Sequence, residues 1–199
     1  LVGCGGGGGG GTSTTPTVTP PDPTLSASSA GGLFNEPQQV TLTSNGAPIY
    51  YTTDGSAPTS SSQRYTAAFT LDNDTTLQAV AINSAGQTSS TVLLTFRFDF
   101  DPPTNFALEA NTLVIDVANE NAFTLTIANG ELDASFAIEI NDADGFTQAI
   151  SLSGQINNAD EQVLSADLSS MADGDVTAVL SLTDEAGNVS VPFSLALTK

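Results

Sequence analysis

From Leu113 to Leu197 apolar residues recur at every second position. Leu113, Ile115 and Val117 form one set, then Phe123, Leu125 and Ile127. Phe136, Ile138 and Ile140 follow, then Ile150 and Leu152. Leu164, Ala166 and Leu168 come next, then Val176, Ala178, Leu180 and Leu182. Val189, Val191, Phe193, Leu195 and Leu197 close the series. Side chains of a β-strand alternate between the faces of a sheet, so a period of two predicts strands that bury one face. Seven such strands in about 95 residues fit an antiparallel sandwich.

Residues before this region also predict strands, marked more by turns than by alternation. Gln39–Thr43 alternates, and Ala47–Thr53 is rich in strand formers. Thr53–Thr59 carries Asp54-Gly55, a turn centre in which the Asp side chain is expected to bond its own backbone. Thr76–Ile82 is an apolar run, Asn83–Gly86 a turn, and Val92, Leu94, Phe96 and Phe98 alternate again. Pro102 and Pro103 stop the last of these strands and stiffen a boundary. The expected fold is all-β, with two antiparallel β-sandwiches in tandem, residues 22–100 and 101–199.

The N-terminus belongs to neither. Gly5 to Gly11 is a run of seven glycines, and Thr12 to Thr24 is rich in Thr and Pro. Glycine loses the most entropy on ordering, and the Thr/Pro stretch favours extended conformers. Residues 4–21 are therefore expected to form a disordered tether with a root-mean-square span of ~25 Å. Just before it stands Cys4, the one cysteine of the chain. A single cysteine excludes an internal disulfide and thiolate clusters.

Leu1-Val2-Gly3-Cys4 resembles the bacterial lipobox. The resemblance implies a signal-peptide remnant in residues 1–3, cleavage before Cys4, and acylation of Cys4. Gly5 in the next position favours the outer membrane of a Gram-negative bacterium, on either its periplasmic or its surface-exposed face. Several acyl chains anchor a protein stably where one is marginal.

Two further resemblances cover the predicted domains. "PIYYTTDGSAPT" followed by "YTAAFTLDNDTTLQAVAINSAGQTSS" is similar to the Ig-like module at the C-terminus of chitobiases and β-hexosaminidases. In that family the module is an accessory and catalysis lies elsewhere. "DLSSMADGDVTAVLSLTDEAGNVS" (Asp167–Ser190) resembles Ig-like repeats of large bacterial adhesins. Both segments also place Ala-Gly-(Gln/Asn) after a strand, at Ala85–Gln87 and Ala186–Asn188, which hints at one architecture used twice. The expected fold class thereby sharpens to two Ig-like sandwiches.

Charge and composition narrow the chemistry. Arg64, Arg97 and Lys199 face 22 acidic residues, for a net charge of −19. Such a chain is repelled by nucleic acid and by anionic membrane surfaces. No histidine is present for a catalytic triad, and the glycine run lacks the lysine and helix of a phosphate loop. Paired acids occur at Asp72/Asp74, Asp99/Asp101, Asp142/Asp144, Asp173/Asp175 and Asp184/Glu185. They are local and lie at turns, whereas a glycosidase needs two carboxylates facing each other across a cleft. The expectation is a protein that is not an enzyme and carries no obligate cofactor. Calcium is the ion these oxygens suit. Asp99 and Asp101, beside the Pro-Pro, are the candidate ligands, ahead of Asn141–Gly145, which lacks the distant Glu of a calcium loop.

Three functions stay open at this level. One is a lipid-anchored spacer or presenting and adhesion module, with a cell-surface glycan or protein as partner. The second is a glycan-binding accessory of a polysaccharide-degrading system, which an exposed row of Tyr50, Tyr51 and Tyr65 would favour. The third is a non-catalytic fragment of a larger enzyme.

Overall fold

The computed structural model of the protein describes residues 20–143, 145 and 148–199. Cys4, the rest of the tether up to residue 19, and Asp144 lie outside the described residues.

The chain is built from strands, in two sandwiches with separate hydrophobic cores. The first contains β1 (Leu25–Ala27), β2 (Gly32–Phe34), β3 (Gln38–Val40), β4 (Leu42–Ser44), β5 (Ile49–Thr52), β6 (Gln63–Arg64), β7 (Phe69–Leu71), β8 (Thr75–Ala81) and β9 (Val92–Phe98). One of its sheets has the order β2-β9-β8-β5-β6, with β2 parallel to β9 and the other pairs antiparallel. Opposite it, β4 pairs with β1 and β3 with β7. Only Thr41 separates β3 from β4, so they act as one strand interrupted at the point where it changes partner. Ser28 fills the interruption: its N–H donates to the Thr41 carbonyl (2.9 Å), and its hydroxyl accepts the Thr41 N–H (3.0 Å).

The second sandwich contains β10 (Ala107–Ala110), β11 (Phe123–Ala128), β12 (Ser135–Asp142), β13 (Ile150–Gln155), β14 (Glu161–Ala166), β15 (Asp175–Thr183) and β16 (Phe193–Thr198). Sheet β10-β11-β14 faces sheet β13-β12-β15-β16, all pairs antiparallel. Strict alternation along β11, β12 and β15 turns Phe123, Leu125, Ile127, Ile138, Ile140 and Leu180 inward, each fully buried.

The two sandwiches share one strand order. The β1–β4/β3–β7 layer corresponds to β10-β11-β14, and β9-β8-β5-β6 to β16-β15-β12-β13. The counterpart of β2 is a single parallel bridge, Val114 to Thr198. That bridge corrects one sequence expectation. Leu113, Ile115 and Val117 do not form a strand: Ile115 is buried, but Leu113, Val114 and Val117 are exposed. Asp116 ends extension there. It accepts the Ala118 N–H on Oδ1 (2.9 Å) and the Glu120 N–H on its carbonyl (2.8 Å), turning the chain into a 3-10 turn at Glu120–Ala122. The first strand of this sandwich is instead β10, whose Ala-Leu-Glu-Ala carries little strand signal. A second correction concerns Val189 and Val191. Both are exposed, and β16 starts only after Pro192, because proline cannot donate to a ladder.

Candidate functional site

A polar cleft lies where the sandwiches meet. It has a volume of about 340 Å³ and is lined by Asp74, Arg97 and Asp99 from the first sandwich and by Glu131, Asp133 and Glu185 from the second. Asp74 stands just before β8 and accepts the Phe98 N–H on Oδ1 (2.8 Å), fixing where the chain leaves. From the second sandwich come the β11–β12 loop and the β15–β16 turn. Asn188 of that turn donates from Nδ2 to the Asp99 carbonyl (2.9 Å) and to Asp184 Oδ2 (2.8 Å).

Carboxylates outnumber the cation Arg97 in the lining of the cleft. Loss of hydration raises the Glu131 carboxyl above its ordinary range, and the Asp184 and Asp99 carboxylates raise it further. Asp184 is buried, yet both its oxygens are engaged. Oδ1 accepts the N–H groups of Gly187 (2.7 Å) and Asn188 (2.8 Å), and Oδ2 accepts from Asn188.

The two proposed calcium ligands part company here. Asp99 faces the cleft and accepts the Asp101 N–H on Oδ1 (3.1 Å). Asp101 is exposed and lines no part of that cleft. Among the described residues no group of three or more acidic, Cys or His side chains is placed to hold a metal ion. Asp142, in the other loop considered for calcium, accepts the Gly145 N–H on Oδ1 (2.9 Å), and its buried Oδ2 has no partner among the described residues.

Other acidic residues shape turns. Asp54 accepts the Ser56 N–H (2.9 Å) and hydroxyl (2.6 Å), as its place in the Asp-Gly turn predicts, and Gly55 supplies the positive φ of 80°. Those bonds, the hydroxyl first, hold the Asp54 carboxyl below its ordinary range. Asp167 is lowered in the same way by Ser169.

The tyrosines do not form an exposed row. Tyr51 is 8% exposed and stacks on Phe69 with ring centroids 4.8 Å apart. Tyr65 meets both rings edge-on and packs against the same core. Tyr50 points to the opposite face, half-buried, with Arg64 and Val80 as cross-strand neighbours.

Sequence reasoning missed three residues: Asn188, Glu131 and Lys199. The Lys199 ammonium donates to the carbonyls of Leu168 (3.0 Å), Ser169 (2.9 Å) and Met171 (2.9 Å) and pairs with Glu120 (3.1 Å). It ties the end of β16 to the Asp167–Asp173 loop. Nothing in the spacing of the sequence announces that cage. Asn188 had a signal, the Ala-Gly-Asn turn, but a turn sequence does not say which side chain reaches outward.

The architecture defines a tandem of β-sandwiches of the immunoglobulin and fibronectin III class. Residues 29–93 match the family described as chitobiase/beta-hexosaminidase C-terminal domain. Across both domains the chain is similar to the fibronectin(III)-like modules of CbhA from Clostridium thermocellum. Identity is 17% and the TM-score 0.51, over 88% of this chain and 93% of that one. A tetra-tandem repeat in the extending region of a large adhesion protein aligns at 17% identity and a TM-score of 0.40, over 88% of this chain and 49% of that one. The D00-D0 domain of intimin aligns at 14% identity and a TM-score of 0.37, over 89% of this chain and all of that one. No curated protein matches the chain.

Proposed function

We propose that the chain is a non-catalytic spacer and presenting module of a surface lipoprotein. An acylated Cys4 holds it to the outer membrane of a Gram-negative bacterium, and the tether gives it reach. One observation carries the spacer part: each sandwich receives the chain at one pole and releases it at the other. In the first, Pro21 is held by Asn83, beyond the end of β8, and the departing Phe98 by Asp74, before its start. In the second, Asp99 is held by Asn188, beyond the end of β15, and Lys199 pairs with Gly174, before its start. Strands of seven to nine residues separate those poles by ~25–30 Å. The domains therefore add length in series, as a stalk requires.

The second reading is a glycan-binding accessory module. The match of residues 29–93 to a domain of chitobiases favours it. Burial of Tyr51 and packing of Tyr65 weigh against it, since a sugar platform needs exposed, coplanar rings. A glycan array and a detergent partition distinguish the readings. The spacer reading expects wild type in the detergent phase, Cys4→Ser in the aqueous phase, and no glycan bound by either. An aqueous wild type contradicts the anchor, and saturable glycan binding contradicts the spacer.

A further inference from the structure

The β8–β9 turn (Asn83 to Gln87) and the β15–β16 turn (Asp184 to Asn188) are built alike, position by position. In each, the first residue's N–H donates to the fifth residue's carbonyl, at 3.0 and 3.1 Å. The fourth residue is a glycine with positive φ, 80° at Gly86 and 96° at Gly187. The first residue's side-chain oxygen accepts the fifth residue's N–H, at 3.0 and 2.8 Å. Two residues further, Ser89 and Ser190 accept the N–H of Ala81 and Leu182 on their hydroxyls, at 3.0 and 2.9 Å.

Both turns then do something a hairpin does not need. A side-chain amide leaves the turn and donates to the chain that leads into the domain. In the first sandwich Asn83 Nδ2 reaches the Pro21 carbonyl (3.1 Å), and Gln87 Nε2 reaches Asp22 Oδ1 (2.7 Å). In the second, Asn188 Nδ2 reaches the Asp99 carbonyl (2.9 Å). The donor comes from the first position in one turn and the fifth in the other, yet it finds the same kind of acceptor.

We infer that these two turns are equivalent clasps, each a binding site for an extended incoming segment that presents a free backbone carbonyl, and that they set the direction in which each sandwich follows the chain before it. The chemistry suits the task. At Asn83 one amide supplies both the acceptor that closes the turn and the donor that grips the segment, whereas in the second turn Asp184 closes and Asn188 grips. A carboxylate in the gripping position has no proton to give. The Asn188 donor is also aimed in advance, because Asp184 Oδ2 holds the same amide at 2.8 Å. Gly187 lies near the first sandwich: a Cβ added there would stand 3.4 Å from Asn35 Nδ2. At the other join the clasp marks where the tether ends, at Pro21. None of this depends on lipidation or on the spacer function.

The test uses the full chain with Cys4→Ser and spin labels on the exposed residues Ser60 and Ser153, one in each sandwich. Without further change the distance distribution is expected to be single and narrow. Asn188→Ala is expected to broaden it while both sandwiches stay folded. A distribution as narrow as that of the parent overturns the clasp at the join. Because Asn188 also touches its own turn, a second variant addresses the other clasp. Asn83→Asp/Gln87→Met keeps the turn-closing oxygen and removes both donors. Heteronuclear relaxation is expected to show Asp22 mobile, with the Ala85 and Gln87 amides still protected from exchange. An Asp22 as rigid as in the parent overturns the inference at that clasp, as does loss of protection at Ala85, which would make the side chains turn formers only.

Discussion

The two sandwiches have the same strand order and different means of holding it. Among the described residues, the first buries nine apolar side chains in its core and the second eighteen. Strands of the first run from two to seven residues and those of the second from four to nine. The first makes up the difference with aromatic contacts and turn chemistry: Phe34 against Phe96 (5.8 Å) and Phe98 (5.9 Å), Tyr51 on Phe69, and Asp54 closing its own turn. The second relies on aliphatic alternation and one ionic clamp at Lys199. A shared topology thus leaves open how much buried area each domain gains, and buried apolar area dominates stability. The second sandwich is accordingly expected to be the more stable.

The widest break in this comparison comes from the cores. Phe96→Ala removes a fully buried ring and costs about 3–5 kcal/mol, which is expected to unfold the first sandwich and leave the second intact. Ile138→Ala costs about 2–5 kcal/mol and is expected to leave the second sandwich folded but less stable. Residue-resolved amide exchange on each variant reads both outcomes.

Lys199→Ala comes next. It removes the ammonium donor from the Ser169 and Met171 carbonyls and from Glu120, while the Leu168 carbonyl keeps the Met171 N–H; the lysine side chain is 8% exposed. The expected loss is about 2–3 kcal/mol, confined to the second sandwich. Urea titration checks it, and a change in the first sandwich's midpoint would contradict the separation of the two cores.

Smaller effects test the join. Glu131 has a raised folded pKa, so it binds its proton more tightly in the native state. The resulting stability is present below the ordinary Glu range and is lost as pH rises through the raised value. Glu131→Gln is therefore expected to stabilise the protein at pH 7, by less than about 1 kcal/mol given its access to solvent. The gain should vanish below pH ~4. Asp54 and Asp167 have the opposite sign: their folded values are lowered, so their contribution is present at neutral pH and fades in acid. Melting curves across pH measure both signs.

Calcium gives the smallest expected effect. A bound ion adds a term beyond salt screening, growing as the logarithm of its concentration over Kd. Equal melting temperatures in calcium chloride and in sodium chloride of matched ionic strength would remove Asp99 and Asp101 as ligands. A calcium-specific rise abolished by Asp99→Asn/Asp101→Asn would establish them.

Much of this fold was legible in the sequence, by two different routes. In the second sandwich alternation marks β11, β12 and β15, because their inner faces are apolar except for Asp142 at the end of β12. In the first, where strands are short, turns mark the fold: Asp54-Gly55 and Ala85-Gly86 sit where the chain reverses. Alternation misled at Leu113–Val117. The pattern is right for a strand, but the Asp116 turn leaves room for one bridge only. β10 was missed because Ala107 and Ala110 carry little preference and gain their place from pairing with β11. The site was less legible than the fold. Asp99 was expected at the join, but its partners Glu131 and Asn188 are distant in sequence, and only the docking of two domains brings them together.

The central claim is that two separately cored sandwiches, unequal in buried area, stand in series. Scanning calorimetry of the full chain, with amide exchange to assign each step, tests it most directly. The account predicts two transitions, with residues 22–100 unfolding first and residues 104–199 at higher temperature, and with Phe96→Ala abolishing only the first. A single cooperative transition in which Phe96→Ala and Ile138→Ala shift the same midpoint would contradict it.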